Sequence, residues 1–353
     1  MNNLSTNFNF EWITDWETIY SDTFQKKWIN LIEHAENRHV FFHPSLSMAW
    51  IKTYRPIRDI KPLFCIAKNN EATIFLPLII WKKNWKNIFQ EVIVPVGYSD
   101  FDYHDPLIVT TGSIKETVNS FFNALTYELK IKYPSDLVTI NGLRIIENDK
   151  FFLLEKDVAP FSNIKIFLDG EDYLKSLKTK LRGDIRRQIR RLSDKGELLL
   201  MKYDGTDLPS NAIKVFLDFH SKRWPNAYKA PDFHQNLIAS GLKSGIIQFS
   251  ELRIGNQTIS WHLGFQYNKI FYYYMPAVDS EWENYSPGKV HLFKLIEEAI
   301  KNKLEIFDHL RGEENYKMGW TDSIKNLYEF NLQSTALKAR VKSKTIQFKN
   351  KLF

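Results

Sequence analysis

Cysteine is almost absent from this chain, which has 353 residues and the single cysteine Cys65. One cysteine excludes an internal disulfide framework and a metal cluster built from several cysteines. Cys65 lies in an apolar stretch typical of a strand. We therefore expect a buried, inert thiol, which is consistent with a reducing compartment.

Long apolar runs are absent as well. No window approaches the roughly 18 uncharged apolar residues that a membrane helix needs. The first twenty residues have neither the basic start nor the apolar core of a secretory signal. We therefore expect a cytoplasmic protein, whose contact with an anionic membrane would at most be peripheral, at the inner membrane face.

The chain does contain enough apolar material for two hydrophobic cores. Apolar residues make up 44% of it and charged residues 25%, which excludes a disordered chain of low hydropathy. Its length exceeds that of a typical single domain, so two domains are expected. The formal net charge of +7 favours anionic partners, namely nucleic acid, an anionic bilayer or phosphate-bearing small molecules, without choosing among them.

Two predicted hairpins set the layout. Residues 61–83 form one, with a turn at Asn69 and Asn70, because paired asparagines tolerate positive φ. Residues 249–267 form the other, with a turn at Gly255 and its neighbour. Helical patterns precede both hairpins. In the first half of the chain one such pattern covers residues 14–34 and another begins at Ser45. The repeated layout predicts two similar α/β domains, each with an antiparallel hairpin leading into a parallel pair.

The first half carries two stretches that can be interpreted as a site. His43 invites a catalytic role, but a lone histidine before proline more often packs or caps a helix. Asp100, Asp102, His104 and Asp105 crowd a glycine-bearing loop, where they could bind a metal or accept a proton from an amine. A solvated loop with Asx turns carries slightly more weight.

The second half opens with the most basic segment, residues 173–195. Its apolar residues recur at helical spacing, which predicts one amphipathic helix with a cationic back. That charge could contact a nucleotide phosphate, tRNA or anionic lipid, and a merely solvated face is equally consistent. The segment from Leu332 to Phe353 carries six Lys or Arg and no acid, so it could touch an anionic membrane or form a loose basic end.

Residues 270–310 predict a parallel crossover. A β-branched and aromatic strand over residues 270–275 is closed by Pro276. Ser286 is a favoured N-cap whose hydroxyl accepts a backbone N–H, and Pro287 suits the first helical position. Strand character returns at residues 304–310. Such connections are right-handed and place the helix N-terminus beside the carboxyl end of the first strand.

The start of this helix is a candidate anion site. A helix N-terminus exposes backbone N–H groups and the positive end of the peptide dipoles. Gly288 allows close approach to the backbone, and Lys289 adds a full positive charge. A pyrophosphate would fit there. By itself the pattern still favours an ordinary helix start, because most Ser-Pro-Gly sequences are only that.

Two longer motifs change this balance. They are PAxDxEWxxYSPGKVHL at residues 276–292 and FDHLRGEENYKMGWTD at residues 307–322. From about Phe41 to Trp320 the chain resembles a bacterial branch of the GNAT acyltransferase superfamily, which occurs in exopolysaccharide and cellulose biosynthesis and is related to the Fem-type peptidoglycan aminoacyltransferases. The resemblance implies an α/β fold with α+β mixed sheets, built as two tandem GNAT-like domains with a cleft between them.

The resemblance also implies how the donor is held and activated. The crossover would bind the pantetheine and pyrophosphate of an acyl-CoA, expected to be acetyl-CoA, through residues of its first strand and helix start: Tyr274, Met275, Ser286, Pro287, Gly288 and Lys289. Tyr316 would protonate the departing thiolate, and Lys317 matches a lysine of the Fem-like relatives. Asp308, Glu313 and Glu314 are alternatives for accepting the amine proton. No metal is predicted.

The acceptor side is assigned more loosely. Similar proteins carry a segment like that around Asp102, Tyr103 and Asp105. The candidate substrate-binding residues are Asp102, Tyr103, Asp105, His220, Arg223, Trp224 and Arg311. A tryptophan face can stack on a sugar or base and an arginine can grip a phosphate, although packing alone could explain Trp224.

These observations predict residues 1–165 as a degenerate, acceptor-side domain, residues 166–335 as the domain with the acyl-CoA site, and residues 336–353 as a basic tail. The predicted activity is transfer of an acyl group from acyl-CoA to an amine by direct attack, the acceptor being an amino sugar, free or nucleotide-linked, in surface-polysaccharide biosynthesis. The alternatives are a Fem-like aminoacyltransferase that uses aminoacyl-tRNA and a non-catalytic accessory protein of polysaccharide synthesis.

Overall fold

The computed structural model describes residues 8–85, 88–145, 152–203, 211–321 and 323–352. The first part of the chain forms, in order, β1 (Asn9–Ile13), α1 (Trp16–Tyr20), α2 (Asp22–His34), α3 (Pro44–Tyr54), β2 (Ile60–Lys68), β3 (Ala72–Trp85), β4 (Ile88–Pro95), β5 (Leu107–Thr110), α4 (Ile114–Lys132), β6 (Leu137–Leu143) and β7 (Phe152–Asn163). The remainder forms α5 (Gly170–Ser176), α6 (Thr179–Ser193), β8 (Leu198–Tyr203), α7 (Ala212–Arg223), α8 (Phe233–Lys243), β9 (Ile247–Ile254), β10 (Gln257–Tyr267), β11 (Ile270–Val278), α9 (Pro287–Lys301), β12 (Ile306–Asp308), α10 (Asn315–Met318), β13 (Ile324–Gln333) and α11 (Leu337–Leu352).

The chain divides into two compact units. Unit 1 comprises Met1–Lys156 together with Leu327–Phe353, and unit 2 comprises Asp157–Asn326. Unit 2 is therefore continuous in sequence, whereas unit 1 is assembled from both ends of the chain. The first boundary predicted from the sequence lies after residue 165, and residues 336–353 were predicted as a separate tail.

Unit 1 is built on a mixed sheet with the strand order β1-β2-β3-β4-β6-β13, and β5 pairs with part of β3. The β4–β6 pair is parallel and the other described pairs are antiparallel. The predicted hairpin is confirmed as β2 and β3, and Cys65 is buried in it. Its turn works differently from expectation, because Asn69 has no positive φ and instead accepts the N–H groups of Glu71 and Ala72.

The helices of unit 1 follow the apolar pattern, with two differences from the sequence prediction. Residues 14–34 form α1 and α2, as predicted. The next helix begins at Pro44, and its cap is His43, whose Nδ1 accepts the N–H of Ser45 at 3.2 Å. The basic tail, which showed no clean period, forms α11, and Lys342 there pairs with Asp136 at 2.8 Å.

Unit 2 repeats the layout with the strand order β7-β12-β11-β10-β9-β8. The predicted second hairpin is confirmed as β9 and β10, and β11 and β12 form the parallel pair. The helix α9 packs on one face of this sheet, where the hydroxyls of Ser250 and Ser260 contact the ring of His291 on α9. Phe216 of α7 packs on Phe249 on the opposite face. Two mixed sheets, each with helices, confirm the predicted fold class.

Two boundaries in unit 2 were predicted wrongly. The basic segment is not one helix but two, α5 and α6, because Leu177 and Lys178 have extended backbones between them. The apolar spacing runs through this break and so hid it. The strand β11 does not end at Pro276 but continues to Val278, with Pro276 opposite His262 of β10.

Candidate active site

The parallel strands β11 and β12 part after a short contact. They pair only through three residue pairs, Ile270 with Ile306, Phe271 with Phe307 and Tyr272 with Asp308. Beyond Tyr272, β11 continues for six residues to Val278, whereas β12 ends at Asp308. Backbone groups on the β12 side of this extension have no strand partner among the described residues, so a chain-like ligand can pair with them there.

The helix α9 begins next to the far end of β11. A Cβ atom added at Gly288 would lie 3.0 Å from Cγ2 of Val278, so the glycine lets the helix start approach the strand closely. The first turn contains no acidic residue, and Pro287 has no N–H. The predicted position of the helix start is thus confirmed, and its backbone can donate to an anion.

Ser286 acts differently from the prediction. Its backbone is left-handed, with φ of 48°, and its side chain makes no capping hydrogen bond. Capping by a serine hydroxyl normally needs an extended backbone, which aims the oxygen back at the first turn. The first turn is instead closed by the Ser286 carbonyl, which accepts the N–H of Lys289 at 3.0 Å. A strained residue therefore stands where the chain enters the helix.

Charged side chains hold the segment before α9. Arg191 of α6 donates to the carbonyl of Asn284 at 2.9 Å and lies over the ring of Tyr285 at 4.6 Å. Arg223, a predicted substrate residue at the end of α7, pairs with Glu283 at 3.1 Å. Arg223 thus lies beside the predicted donor site, but its charge is already shared with a carboxylate.

Lys289 is also partly engaged. Its ammonium pairs with Asp184 of α6, a carboxylate that Arg187 contacts as well. The hydrogen bond from Lys289 lowers the pKa of Asp184, so this carboxylate stays ionised. Lys289 therefore contributes less net positive charge at the helix start than its sequence position suggests.

The strand β12 ends in a tight turn. Asp308 is buried, and its Oδ1 accepts the N–H of Leu310 at 2.8 Å. Leu310 itself has a positive φ of 62°. This hydrogen bond stabilises a left-handed backbone conformation that is unfavourable for leucine. Asp308 therefore has a structural role in addition to any role as a base.

Lys317 and its neighbours close the same end. Lys317 is buried and donates to the carbonyl of Arg311 at 2.6 Å, and it pairs with Glu314 at 3.0 Å. Arg311 points its Nε to Asp157 at 2.9 Å. Glu313 is exposed. Asp308, Arg311 and Lys317 thus lie at the same end of β12, and each of the three has contacts that hold the turn.

His309 was not among the site residues predicted from the sequence. It is fully buried, and Nε2 lies 3.1 Å from Oγ of Ser162, which lies 3.4 Å from the hydroxyl of Tyr173. Burial, and then the charge of Lys317, lower the pKa of His309 to about 3. Its imidazole is therefore neutral at pH 7, and it is a weak base because burial and the nearby ammonium disfavour its protonated form. The sequence signal was a histidine directly after a strand, at the edge where ligands bind.

Tyr316 is accessible, with 42% of its surface exposed, and it belongs to the short helix α10. Burial, and then the proximity of Tyr316, raise the pKa of Tyr273 on β11. Tyr316 therefore lies near the parting strands. Of the other donor-site residues, Tyr274 is half-buried with its ring 4.8 Å from that of Phe265, and Met275 is buried.

The corner at the end of α7 divides into a buried and an exposed part. His220 is buried, with Nδ1 3.0 Å from the hydroxyl of Tyr228, and burial lowers its pKa to about 4. Trp224 keeps 41% of its surface exposed. An exposed tryptophan can stack on a ligand, whereas His220 is enclosed in packing.

The predicted acceptor residues of unit 1 are mostly interior. Asp105 is fully buried and accepts from the Nε of Arg144 at 2.6 Å and from its backbone N–H at 2.6 Å. Tyr103 is fully buried beneath the same guanidinium, 3.9 Å away. Neither side chain can touch an acceptor in this conformation, because the Arg144 contacts occupy both. Asp102 is half-buried, and its carbonyl lies where a Cβ on Gly142 would be.

Within the described residues, no group of three or more His, Cys, Asp or Glu side chains is arranged to hold a metal ion. In the same part of the chain, no helix is both long enough and apolar enough to cross a membrane.

Comparison with known families gives one match, in unit 2. Residues 179–318 match the family described as "Acetyltransferase (GNAT) domain". The matched span begins with α6 and ends with α10, so it contains α9 and both parting strands. No curated protein matches the sequence.

Solved structures share the fold at low sequence identity. FemX is 10% identical, with 87% of this chain and 96% of that chain covered and a TM-score of 0.56. The C-terminal domain (DUF2156) of a putative lysylphosphatidylglycerol synthetase from Agrobacterium fabrum is 10% identical, with 90% and 93% covered and a TM-score of 0.51. A tandem GNAT protein from the clavulanic acid biosynthesis pathway is 8% identical, with 93% and 100% covered and a TM-score of 0.50. These similarities confirm the predicted tandem GNAT-like fold.

Proposed function

We propose that this protein is an N-acyltransferase that moves an acyl group, acetyl in the simplest case, from acyl-CoA to an amine by direct attack. One observation carries the proposal. The strands β11 and β12 part beside the start of α9, within the span that matches the GNAT family. An extended pantetheine arm suits the unpaired side of β11, and phosphates suit the helix start.

The donor site depends on close backbone approach. Gly288 keeps the first turn of α9 free of side-chain bulk, and the absence of acidic residues there avoids repulsion of a pyrophosphate. Lys289 adds attraction, reduced by its pair with Asp184. Binding of the phosphates at this point would align the thioester along β11, towards the end of β12.

The chemistry requires positioning, a neutral amine and a proton for the leaving thiolate. Holding donor and acceptor together supplies much of the rate gain, and proton transfer adds about 10²–10⁴-fold. Tyr316 is our proposed proton donor to sulfur, since its hydroxyl is accessible near β11. The carboxylate of Asp308, acting through water, is the proposed route for the amine proton, since the lowered pKa of His309 makes its imidazole a weak base. Lys317 would hold the turn that carries Asp308.

The acceptor is proposed from the sequence resemblance, as an amino sugar, free or nucleotide-linked, of a surface polysaccharide. Arg223, Trp224 and Arg311 are the residues that we propose to contact it, because Trp224 is exposed and both arginines lie at the predicted ligand end of unit 2. Their present carboxylate partners would have to be exchanged for the acceptor.

Calorimetry with acetyl-CoA tests the donor site through two isosteric variants, Gly288→Asp and Gly288→Asn. Both side chains meet Val278 equally, so any strain is shared and only the charge differs. We expect the Asp variant to bind acetyl-CoA at least about 100-fold more weakly than the Asn variant, because it sets a carboxylate against the pyrophosphate. Equal affinities of the two variants would place the donor elsewhere.

The same experiment separates the rival functions. Tight binding of aminoacyl-tRNA, steeply weakened by salt, with none of acetyl-CoA, would favour a Fem-like aminoacyltransferase. Several cations of α6 are already paired within the protein, among them Arg186 with Glu171 and Arg187 with Asp184, which leaves fewer for an RNA backbone. Binding of acetyl-CoA without turnover of any amine would indicate an accessory protein.

A further inference from the structure

Unit 1 holds an arginine between two aromatic rings. The guanidinium carbon of Arg58, in the loop between α3 and β2, lies 4.1 Å from the ring centre of Tyr54 and 4.5 Å from that of Trp81 on β3. Contact with two rings restricts the guanidinium and leaves its N–H edge to form hydrogen bonds. The group is thus oriented in advance.

The N–H edge of Arg58 is not satisfied by the protein. Nη1 is buried and has no hydrogen-bond partner, and within the described residues Arg58 forms no ion pair. Nearby carboxylates are committed elsewhere: Asp100 accepts from the indole of Trp50 at 2.9 Å, and Glu329 accepts from Thr139 at 2.8 Å. A buried cationic donor without an acceptor is costly, so it needs an explanation.

A second cation converges on the same ring. The ammonium of Lys83, two residues along β3, lies 5.4 Å from the ring centre of Trp81, and Lys83 also forms no ion pair within the described residues. Burial, and then the charge of Arg58, lower the pKa of Lys83. Two like charges that form no ion pair destabilise the folded protein, and an anion between them would relieve this repulsion.

A hydroxyl completes the group. Tyr98, after β4, has its ring centre 6.4 Å from that of Trp81 in an edge-on arrangement. Burial, and then the charge of Glu329, raise the pKa of Tyr98, so its hydroxyl remains a donor. Guanidinium, ammonium and phenol thus surround one indole, and all three are donors.

We propose that Arg58, Lys83 and Tyr98 form an oxyanion-binding site in unit 1, which takes a phosphate or carboxylate group of a ligand. This site lies outside the family match and outside the donor site proposed for unit 2, so it stands or falls independently. Two cations and a hydroxyl around one ring suit a phosphate, and a guanidinium edge also suits a planar carboxylate.

The test is ¹⁹F NMR of the full chain labelled with 5-fluorotryptophan, in which the Trp81 signal is identified by its loss in Trp81→Phe. Inorganic phosphate and acetate are titrated separately against chloride at equal ionic strength. We expect the Trp81 signal to shift saturably with phosphate, or with both anions if carboxylates also bind. Arg58→Gln and Lys83→Gln should each weaken this response at least about tenfold.

Neighbouring cations provide matched controls. Arg55→Gln removes an exposed arginine stacked on Trp16, and Lys82→Gln removes the exposed lysine next to Lys83. Both should keep the wild-type response. No saturable shift of the Trp81 signal in wild-type protein, or a shift that persists unchanged in Arg58→Gln and Lys83→Gln, would overturn the proposal.

Stability gives a second readout that does not depend on the label. At low ionic strength without phosphate, Lys83→Gln should leave the melting temperature unchanged or raise it, because it removes repulsion from Arg58. A lysine that merely packs on Trp81 would instead lower it when replaced. Addition of phosphate should then raise the melting temperature of the wild type more than that of Lys83→Gln.

Discussion

At the scale of single residues, the ion pair between Asp105 and Arg144 shows how burial redirects a side chain that looked functional. The carboxylate is fully buried and the arginine side chain is 11% exposed. Burial alone would raise the pKa of Asp105, but the charge and N–H donors of Arg144 outweigh it, so the pKa is lowered. The pair therefore stays ionised and joins the loop after β4 to the end of β6.

Replacing Arg144 by leucine should cost about 3–5 kcal/mol of unfolding free energy, because it leaves the Asp105 charge buried without its cationic partner. The matched variant is Lys27→Leu, which breaks an exposed pair with Glu11 and should cost at most about 1 kcal/mol. Urea unfolding at pH 7 measures both. Adding Asp105→Asn to Arg144→Leu should recover part of the loss, and similar losses for the two single variants would contradict this account.

Single residues also differ in whether their place in the site could be predicted from the sequence. Ser286, Gly288 and Lys289 stand in one contiguous motif, so their place at a helix start could be predicted. His309 and Arg58 could not be singled out, because their significance comes from buried atoms without partners and from rings distant in sequence. A sequence gives residue types and spacing, but not which donors the folded chain leaves unsatisfied.

At the scale of elements, one arginine of α6 holds the segment that leads into α9. Arg191 contacts Asn284 and Tyr285 just before the helix start, whereas the adjacent Arg190 makes no such contact. Arg191→Ala should therefore destabilise unit 2 by about 1–2 kcal/mol relative to Arg190→Ala, through loss of the hydrogen bond and the ring contact. Thermal unfolding measures this difference. Equal melting temperatures would mean that the contact contributes nothing.

The bounds of a helix were predicted correctly where the local sequence signals and the packing of the folded chain favour the same residues. The start of α9 carries proline at its first position and an apolar stripe, and it forms as predicted. Prediction failed for α5 and α6, where the apolar stripe continues across a break at Leu177, and for α11, which has no clean stripe. In these cases capping and packing by distant residues, rather than periodicity, determine where a helix begins or ends.

At the scale of the whole molecule, buried histidines are spread through both units. Burial lowers the pKa to about 3 for His39, His291 and His309, and to about 4 for His43, His220 and His234. The folded protein keeps these imidazoles neutral, whereas the unfolded chain takes up protons near pH 6.5. Below that pH the unfolded state binds more protons, so it is favoured.

We therefore expect stability to be flat above pH 7 and to fall steeply as the pH drops from about 6.5 towards 3, by up to about 1.4 kcal/mol per pH unit for each such histidine. Urea midpoints measured at pH 7.5 and 5.5 test this. His291→Gln should reduce the slope by about one proton, because it removes one of these buried imidazoles. A midpoint that is constant down to pH 5 would contradict the expectation.

The split of unit 1 between the two ends of the chain affects the order in which the protein is made. The strand β13 pairs with β6, and Phe330 packs its ring 5.0 Å from that of Phe122 in the unit 1 core. On the ribosome, β6 must wait for β13, which is translated only after most of the contiguous unit 2 has emerged. Unit 1 thus starts before unit 2 in translation but cannot complete its sheet until after it.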